Sequence, residues 1–147
     1  ALDRQGGLYV SDYKKHEVRR WRFGERTGSE VVAGGHGKGD QLQQLHCPAN
    51  IFVDHEDFLY ISDLGNYRVM KWRAEATEGI VVAGGHGSGN ELNQLSYPSG
   101  LTVDQQGTLY VVDSAHHRVM RWLANATEGS IIIGRRGQGH QSDQLNG

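Results

Sequence analysis

The sequence predicts an all-β fold built from one four-stranded antiparallel meander written three times. Three observations carry that prediction. Leu8-Tyr9-Val10-Ser11-Asp12, Leu59-Tyr60-Ile61-Ser62-Asp63 and Leu109-Tyr110-Val111-Val112-Asp113 are each followed, nine residues past the aspartate, by Trp21, Trp72 and Trp122. The copies stand 51 and then 50 residues apart, a period at which one supersecondary unit repeats, each too small to bury a core alone. The 21 glycines recur at fixed places in the repeat, against only 2 prolines, so they punctuate structure rather than loosen a linker.

Each element follows in order. Pro98, like Pro48 before it, sets an extended entry to a first strand, a position where proline is tolerated. The strand itself is Leu101-Thr102-Val103-Asp104, matching Ile51-Phe52-Val53-Asp54. A tight turn through Gln105-Gln106-Gly107 comes next, with Gly107 suited to positive φ and Gly6 and Asp57 in its place elsewhere. Thr108 to Val112 form the second strand. The third is Arg118 to Trp122, matching Arg68 to Trp72, and the fourth is Ser130 to Ile133, matching Ile80 to Ala83 and Glu30 to Ala33. Short β-branched and aromatic runs between Gly and Asp make an antiparallel meander, and no segment keeps a helical period.

Four-stranded sheets at this spacing are blades of a β-propeller. Tyr97-Pro98-Ser99-Gly100-Leu101-Thr102-Val103-Asp104, Gly107-Thr108-Leu109-Tyr110-Val111-Val112-Asp113 and His117-Arg118-Val119 together resemble an NHL repeat. The resemblance implies a propeller, usually of six blades, that works as a binding platform. Residues 1–147 are then one segment, with blades at about 1–35, 48–85 and 98–135 and glycine-rich crossovers between. Three blades do not close a ring. Either the chain belongs to a longer array, or two copies complete six blades through a twofold interface.

The repeated charges read as scaffold. Asp63 and Arg68 stand at the two stems of one hairpin, as do Asp113 and Arg118, where a bidentate pair can form. The first copy departs: Asp12 faces Glu17, which predicts a different turn with Lys14 or Lys15 intervening. Trp21, Trp72 and Trp122 complete the structural set.

Several function classes are weakened from the start. The net charge of -2 gives no global case for nucleic acid, and no apolar run is long enough to span a bilayer. The single cysteine, Cys47, excludes an internal disulfide and a zinc-ribbon or RING module within these residues. The glycine-rich runs at Gly34–Gly39, Gly84–Gly89 and Gly134–Gly139 lack the helix and the Lys-Ser/Thr pair of a phosphate loop. They read as crossovers, pinned by Leu42 with Leu45 and Leu92 with Leu95.

The loop-rich end is where binding is expected. His16, His36, His46, His86, His116, His117 and His140 fall there, and His55 lies opposite. With Lys38 and Arg136, the residues His16, His36, His86, His116 and His117 form the candidate binding surface, for a protein partner. A metal-dependent propeller enzyme of amidating-lyase or hydrolase type, with zinc or calcium at His36 and His86, is the competing reading, because imidazoles from successive blades can converge. Amidating-lyase relatives of the family give it a precedent, but Arg136 breaks the histidine series, so no cofactor and no catalytic residue is assigned. RNA binding lacks an aromatic series for stacking. A ubiquitin-ligase arm would need a RING and B-box elsewhere. Asn125-Ala126-Thr127 is an N-glycosylation sequon, which points toward an extracellular setting and leaves a cytoplasmic one open.

Overall fold

A computed structural model describes residues 1–24, 28–134, 137–142, 144 and 145. Its strands are β1 (Leu8–Asp12), β2 (Glu17–Trp21), β3 (Ser29–Gly34), β4 (Pro48–Val53), β5 (Leu59–Asp63), β6 (Arg68–Trp72), β7 (Ile80–Gly84), β8 (Pro98–Val103), β9 (Leu109–Asp113), β10 (Arg118–Trp122) and β11 (Ser130–Ile133). They form three antiparallel sheets in the orders β1-β2-β3, β4-β5-β6-β7 and β8-β9-β10-β11. These are propeller blades arranged as an open arc. Among the described residues no helix is long and apolar enough to cross a membrane.

The first blade has three named strands where the repeat has four. Ala1 and Leu2 stand in for the first: Leu2 is bridged to Leu8, and Ala1 and Tyr9 exchange bonds of 3.1 and 2.9 Å. In the other blades the first strand begins at the proline itself, three residues earlier than its apolar run suggests, because a bulge between Pro48 and Ile51, and between Pro98 and Gly100, keeps the register.

The first turn of each blade is an aspartate device. Asp54 Oδ1 accepts from the amides of Glu56 and Phe58 at 2.9 Å, and Asp104 Oδ1 from those of Gln106 and Thr108 at 3.0 and 2.8 Å. Asp3 does the same for Gln5 and Gly7 at 3.0 and 2.6 Å. A short acidic side chain thus replaces backbone partners in a tight turn. Gly6, Asp57 and Gly107 take φ of 83°, 62° and 78° there, as the sequence predicts.

Alternation across the pleat explains why the strands are apolar on both faces. In the middle blade Met70, Ile61 and Trp72 face back to Tyr9, Val18, Ala33 and Leu45. Tyr60, Val69 and Ala83 face forward to Leu109, Val111, Met120 and Trp122. Each blade boundary is therefore one cluster, and a tryptophan always packs on the blade before its own. Trp72 and Trp122 are buried, whereas Trp21 is half-buried because its sheet face looks outward from the arc.

Candidate functional site

One end of the arc gathers the turns between second and third strands and the crossovers that enter each blade. The shared location is fixed by bonds: Gly65 N donates to His46 O at 2.8 Å, and Ser114 N to Tyr97 O at 3.1 Å. Each turn reverses through a left-handed residue, His16, Tyr67 or His117, with φ of 57°, 55° and 48°.

The Asp–Arg pairs do more here than close a hairpin. Arg68 Nε meets Asp63 Oδ2 at 2.7 Å, and Arg118 Nε meets Asp113 Oδ2 at 2.9 Å, all four side chains buried. The rest of each guanidinium grips the crossover made just before it. Arg68 Nη1 donates to Asp40 O at 2.6 Å, and Nη2 to Gln41 O and Gln44 O at 3.1 Å. Arg118 repeats this on Asn90 O at 2.6 Å and Gln94 O at 3.0 Å. The aspartate takes the amides at the crossover's end: His46 N at 2.7 Å for Asp63, Ser96 N and Tyr97 N at 3.1 and 3.0 Å for Asp113. Each pair is a latch between blades.

In the first blade the latch is missing. Asp12 Oδ1 is turned onto its own turn, accepting from Lys14 N and Lys15 N at 3.1 and 3.0 Å, with Lys15 Nζ 3.9 Å from Oδ2. Glu17 pairs instead with Arg19 at 2.8 Å. Arg19 occupies the strand position that Met70 and Met120 hold in the other blades. Two further ties cross between inner strands: Ser11 Oγ donates to Ala49 O at 2.7 Å, and Ser62 Oγ to Pro98 O. These strand serines are structural.

The crossovers are closed by a residue that sequence reasoning passed over. Gln44 Nε2 donates to His36 O at 3.1 Å, and Gln94 Nε2 to His86 O at 3.0 Å. A Cβ on Gly39, Gly89 or Gly139 would overlap the side chain of Gln44, Gln94 or Gln144. The signal was in the chain, since a glycine precedes a Gln-Leu pair by five residues in all three copies. The leucine pins divide: Leu45 and Leu95 are buried, but Leu42 and Leu92 are exposed. What Leu42 and Leu92 contribute is their carbonyls, which accept from Gly79 N at 3.0 Å and Gly129 N at 2.8 Å.

The histidines divide as well. His36 and His86 do not share a cavity. His86 lines a groove of about 770 Å³ between the second and third blades, with His55, Lys71, Trp122 and Asn125 along its length. His36 lines the equivalent groove of about 630 Å³ one blade earlier, beside Gln43 and Trp72. Both are exposed, as is Lys38. His16 and His46 do meet, edge to face at 5.8 Å between ring centroids, and His16 Nδ1 accepts from Cys47 N at 3.1 Å. His116 Nδ1 lies 3.1 Å from Asp113 Oδ2. Among the described residues no three His, Cys, Asp or Glu side chains stand close enough to share a metal ion. Arg136, with Arg135 and Asp143, lies outside the described residues. Asn125 is exposed at the opposite end, in the left-handed conformation with φ of 63°, as is Glu75 at its equivalent position.

An aromatic series is present after all. Tyr13, Tyr67 and Tyr97 are 56%, 37% and 49% exposed on the loop-rich end, each from a different turn or crossover. The Tyr13 hydroxyl is held above its usual pKa by hydrogen bonding to the Cys47 thiol, with Tyr97 also near enough to add to the effect. Sequence reasoning missed the series because the three do not occupy equivalent places in the repeat.

No curated protein matches the chain. Two solved structures from Bacteroides thetaiotaomicron share its fold. One is a structural genomics protein of unknown function, with a TM-score of 0.74 and 18% identity over 99% of this chain and 39% of that one. The other is an auxiliary nutrient binding protein, with a TM-score of 0.69 and 14% identity over 97% of this chain and 39% of that one. The chain thus spans about 39% of the length of each. Where the second crossover enters the third blade and runs through its latch to its third strand, residues 95–121 match the family model of the NHL repeat.

Proposed function

We propose that this chain is a binding module, a propeller segment that engages a protein partner through its loop-rich end. The observation that carries the reading is the exposure of Tyr13, Tyr67 and Tyr97 on that one end. Tyrosine supplies a large apolar face and a polar tip at low conformational cost, and exposed tyrosines at the ends of rigid elements are the side chains that interfaces use. Here the support is bonded: the turns bearing Tyr13 and Tyr67 are tied to the crossovers, and the amide of Tyr97 itself donates to Asp113 Oδ1. The NHL match and the fold shared with a nutrient binding protein support a binding role in general terms.

Peptides selected from a randomised display library on the immobilised chain test the reading. Binders are expected to lose affinity at least tenfold when Tyr13, Tyr67 and Tyr97 are changed together to alanine, since a tyrosine anchor contributes about 2 kcal/mol or more. Glu75→Ala, at the opposite end, is the control and should leave affinity unchanged. Binders indifferent to the tyrosines and sensitive to Glu75→Ala would sink the proposal, as would single-stranded RNA binding tightly where no peptide does.

A further inference from the structure

The second and third blades join their last two strands by the same turn, written twice with one change. Ala74-Glu75-Ala76-Thr77-Glu78-Gly79 and Ala124-Asn125-Ala126-Thr127-Glu128-Gly129 differ only at Glu75 and Asn125. Each turn closes through its backbone, Ala76 N donating to Arg73 O at 3.2 Å and Ala126 N to Leu123 O at 3.0 Å. Glu75 and Asn125 both take φ of 63°. A glutamate therefore satisfies the turn, so its geometry does not require the asparagine. What Asn125 brings is chemistry: an amide with the Thr127 hydroxyl two residues on, both side chains exposed.

The turn stands on the rim of a groove. Asn125, Ala124 and Thr127 line the groove of about 770 Å³ between the second and third blades, together with Ile80 and Leu123, each 59% exposed. Gln105 and Gln106 reach it from the first turn of the third blade. Apolar side chains beside polar ones match a sugar ring, which carries C–H groups on its faces and hydroxyls at its edge. The groove's large rings, Tyr60 and Trp122, are buried and offer no open face on which a free sugar could stack. A sugar there has to be held by a covalent bond.

We propose that Asn125 is an N-glycosylation site and that the inner sugars of its glycan lie along this groove. The transfer is a substitution. Asn125 Nδ2 bonds to C1 of an oligosaccharide carried on a polyprenyl pyrophosphate, the C1–O bond to the pyrophosphate breaks, and Nδ2 gives up one proton as the carrier leaves. Nothing is oxidised or reduced. The glycan covers Ile80 and Leu123, apolar surface that would otherwise face water. Its place at the end opposite Tyr13, Tyr67 and Tyr97 leaves the loop-rich end open to a partner.

Secretion of the intact chain from a eukaryotic cell line behind a cleavable leader tests the site, with circular dichroism to confirm folding. The purified chain should lose mass on treatment with an amidase that releases N-glycans, and release in water enriched in heavy oxygen should label position 125 alone. Asn125→Gln and Thr127→Ala should each abolish the loss of mass, whereas Thr127→Ser should keep it. Glu75→Asn writes the same triplet into the second blade and should add a second glycan. A folded, secreted chain bare at Asn125 overturns the site, and a bare Glu75→Asn turn beside an occupied Asn125 overturns the equivalence on which it is argued. Lys71 reports the placement, since it lines the groove with Nζ 3.9 Å over the Phe58 ring. An amine-reactive reagent should label Lys71 about threefold or more slowly in the glycosylated chain than in Asn125→Gln, with Lys38 at the loop-rich end labelled alike in both. Equal rates at Lys71 would show that the glycan does not lie in the groove.

Discussion

Asp63 and Asp113 occupy the same place in successive blades, both fully buried, yet their carboxyl pKa values shift in opposite directions. Burial raises both carboxyls. For Asp113 the amides of Tyr97 and Ser96, then His116 and Arg118, outweigh it and hold the group below the ordinary aspartate value. Asp63 has one backbone amide, from His46, with Asn66 and Arg68, and burial prevails. Burial weighs more heavily on Asp63, and the second amide and His116 add to the lowering at Asp113, since hydrogen bonds to the charged form lower a carboxyl pKa. Asp3 and Asp104 are also lowered; in each, burial acts upward and is outweighed, by the Gly7 amide and Arg20 in one and the Thr108 and Gln106 amides in the other. A depressed folded pKa lends stability that is fully present above the unfolded value of about 3.9 and is lost as pH falls through the folded value. Asp63 acts in the opposite sense, favouring the folded state at low pH and losing that contribution as pH rises through its folded value. Urea midpoints are therefore expected to fall as pH drops below about 4, with three depressed carboxylates against one raised. Asp113→Asn should be less stable at neutral pH by roughly 3–5 kcal/mol, as for one partner removed from a buried pair, and should show a shallower acid limb. Parallel acid limbs would show that Asp113 is not one of the titrating groups.

Between the third and fourth strands every blade carries the same irregularity: the register shifts at Val18/Arg19, Val69/Met70 and Val119/Met120. The glycine that ends the fourth strand answers to it. Gly34, Gly84 and Gly134 have φ of 71°, 67° and 87°, and a Cβ on any of them would strike the carbonyl oxygen of His16, Tyr67 or His117. Because the obstacle is backbone, it cannot swing aside. Gly84→Ala should therefore cost about 1–3 kcal/mol, the strain of a non-glycine left-handed residue with a contact added, whereas Gly87→Ala, also at positive φ but with nothing within 4 Å, should cost only the conformational part. Thermal melts of the two variants compare them directly, and equal losses would refute the contact. Such local devices were legible: the tight turns at Gly6, Asp57 and Gly107, the four strands and the hairpin pairs all follow from spacing and residue type. The reach of Arg68 to carbonyls 24 to 28 residues upstream was not, because nothing in a local pattern says which loop lies against a guanidinium's far side. The exposed tyrosines were hidden for the reverse reason, since they break the repeat that made the rest readable.

At the level of the molecule, the arc has two unlike ends. The leading face carries Trp21 half-buried among Val10, Glu17 and Arg19, whereas Trp72 and Trp122 lie inside blade boundaries. Acrylamide should therefore quench about a third of the tryptophan emission readily and the remainder slowly, and Trp21→Phe should remove the quenchable fraction alone. Uniform quenching of all three would mean that the blade boundaries open in solution. The trailing face has no tryptophan and is lined by Tyr110, Val112, Val119 and Ile133. Fold and blade count could be read from the sequence because both are written in the repeat; the difference between the two faces comes from single departures, Glu17, Arg19 and Val112, whose meaning depends on what each residue faces.

Since the latch always holds the loop made before it, the chain completes its structure backward along its own length. During synthesis a crossover leaves the ribosome ahead of the aspartate and arginine that pin it. Gln44 and Asp40 precede Arg68 by 24 and 28 residues, which at ordinary elongation rates is a wait of roughly 1–6 s. For that interval each glycine-rich segment is a nascent loop awaiting its anchor. Maturation therefore advances one blade at a time, in the direction of translation.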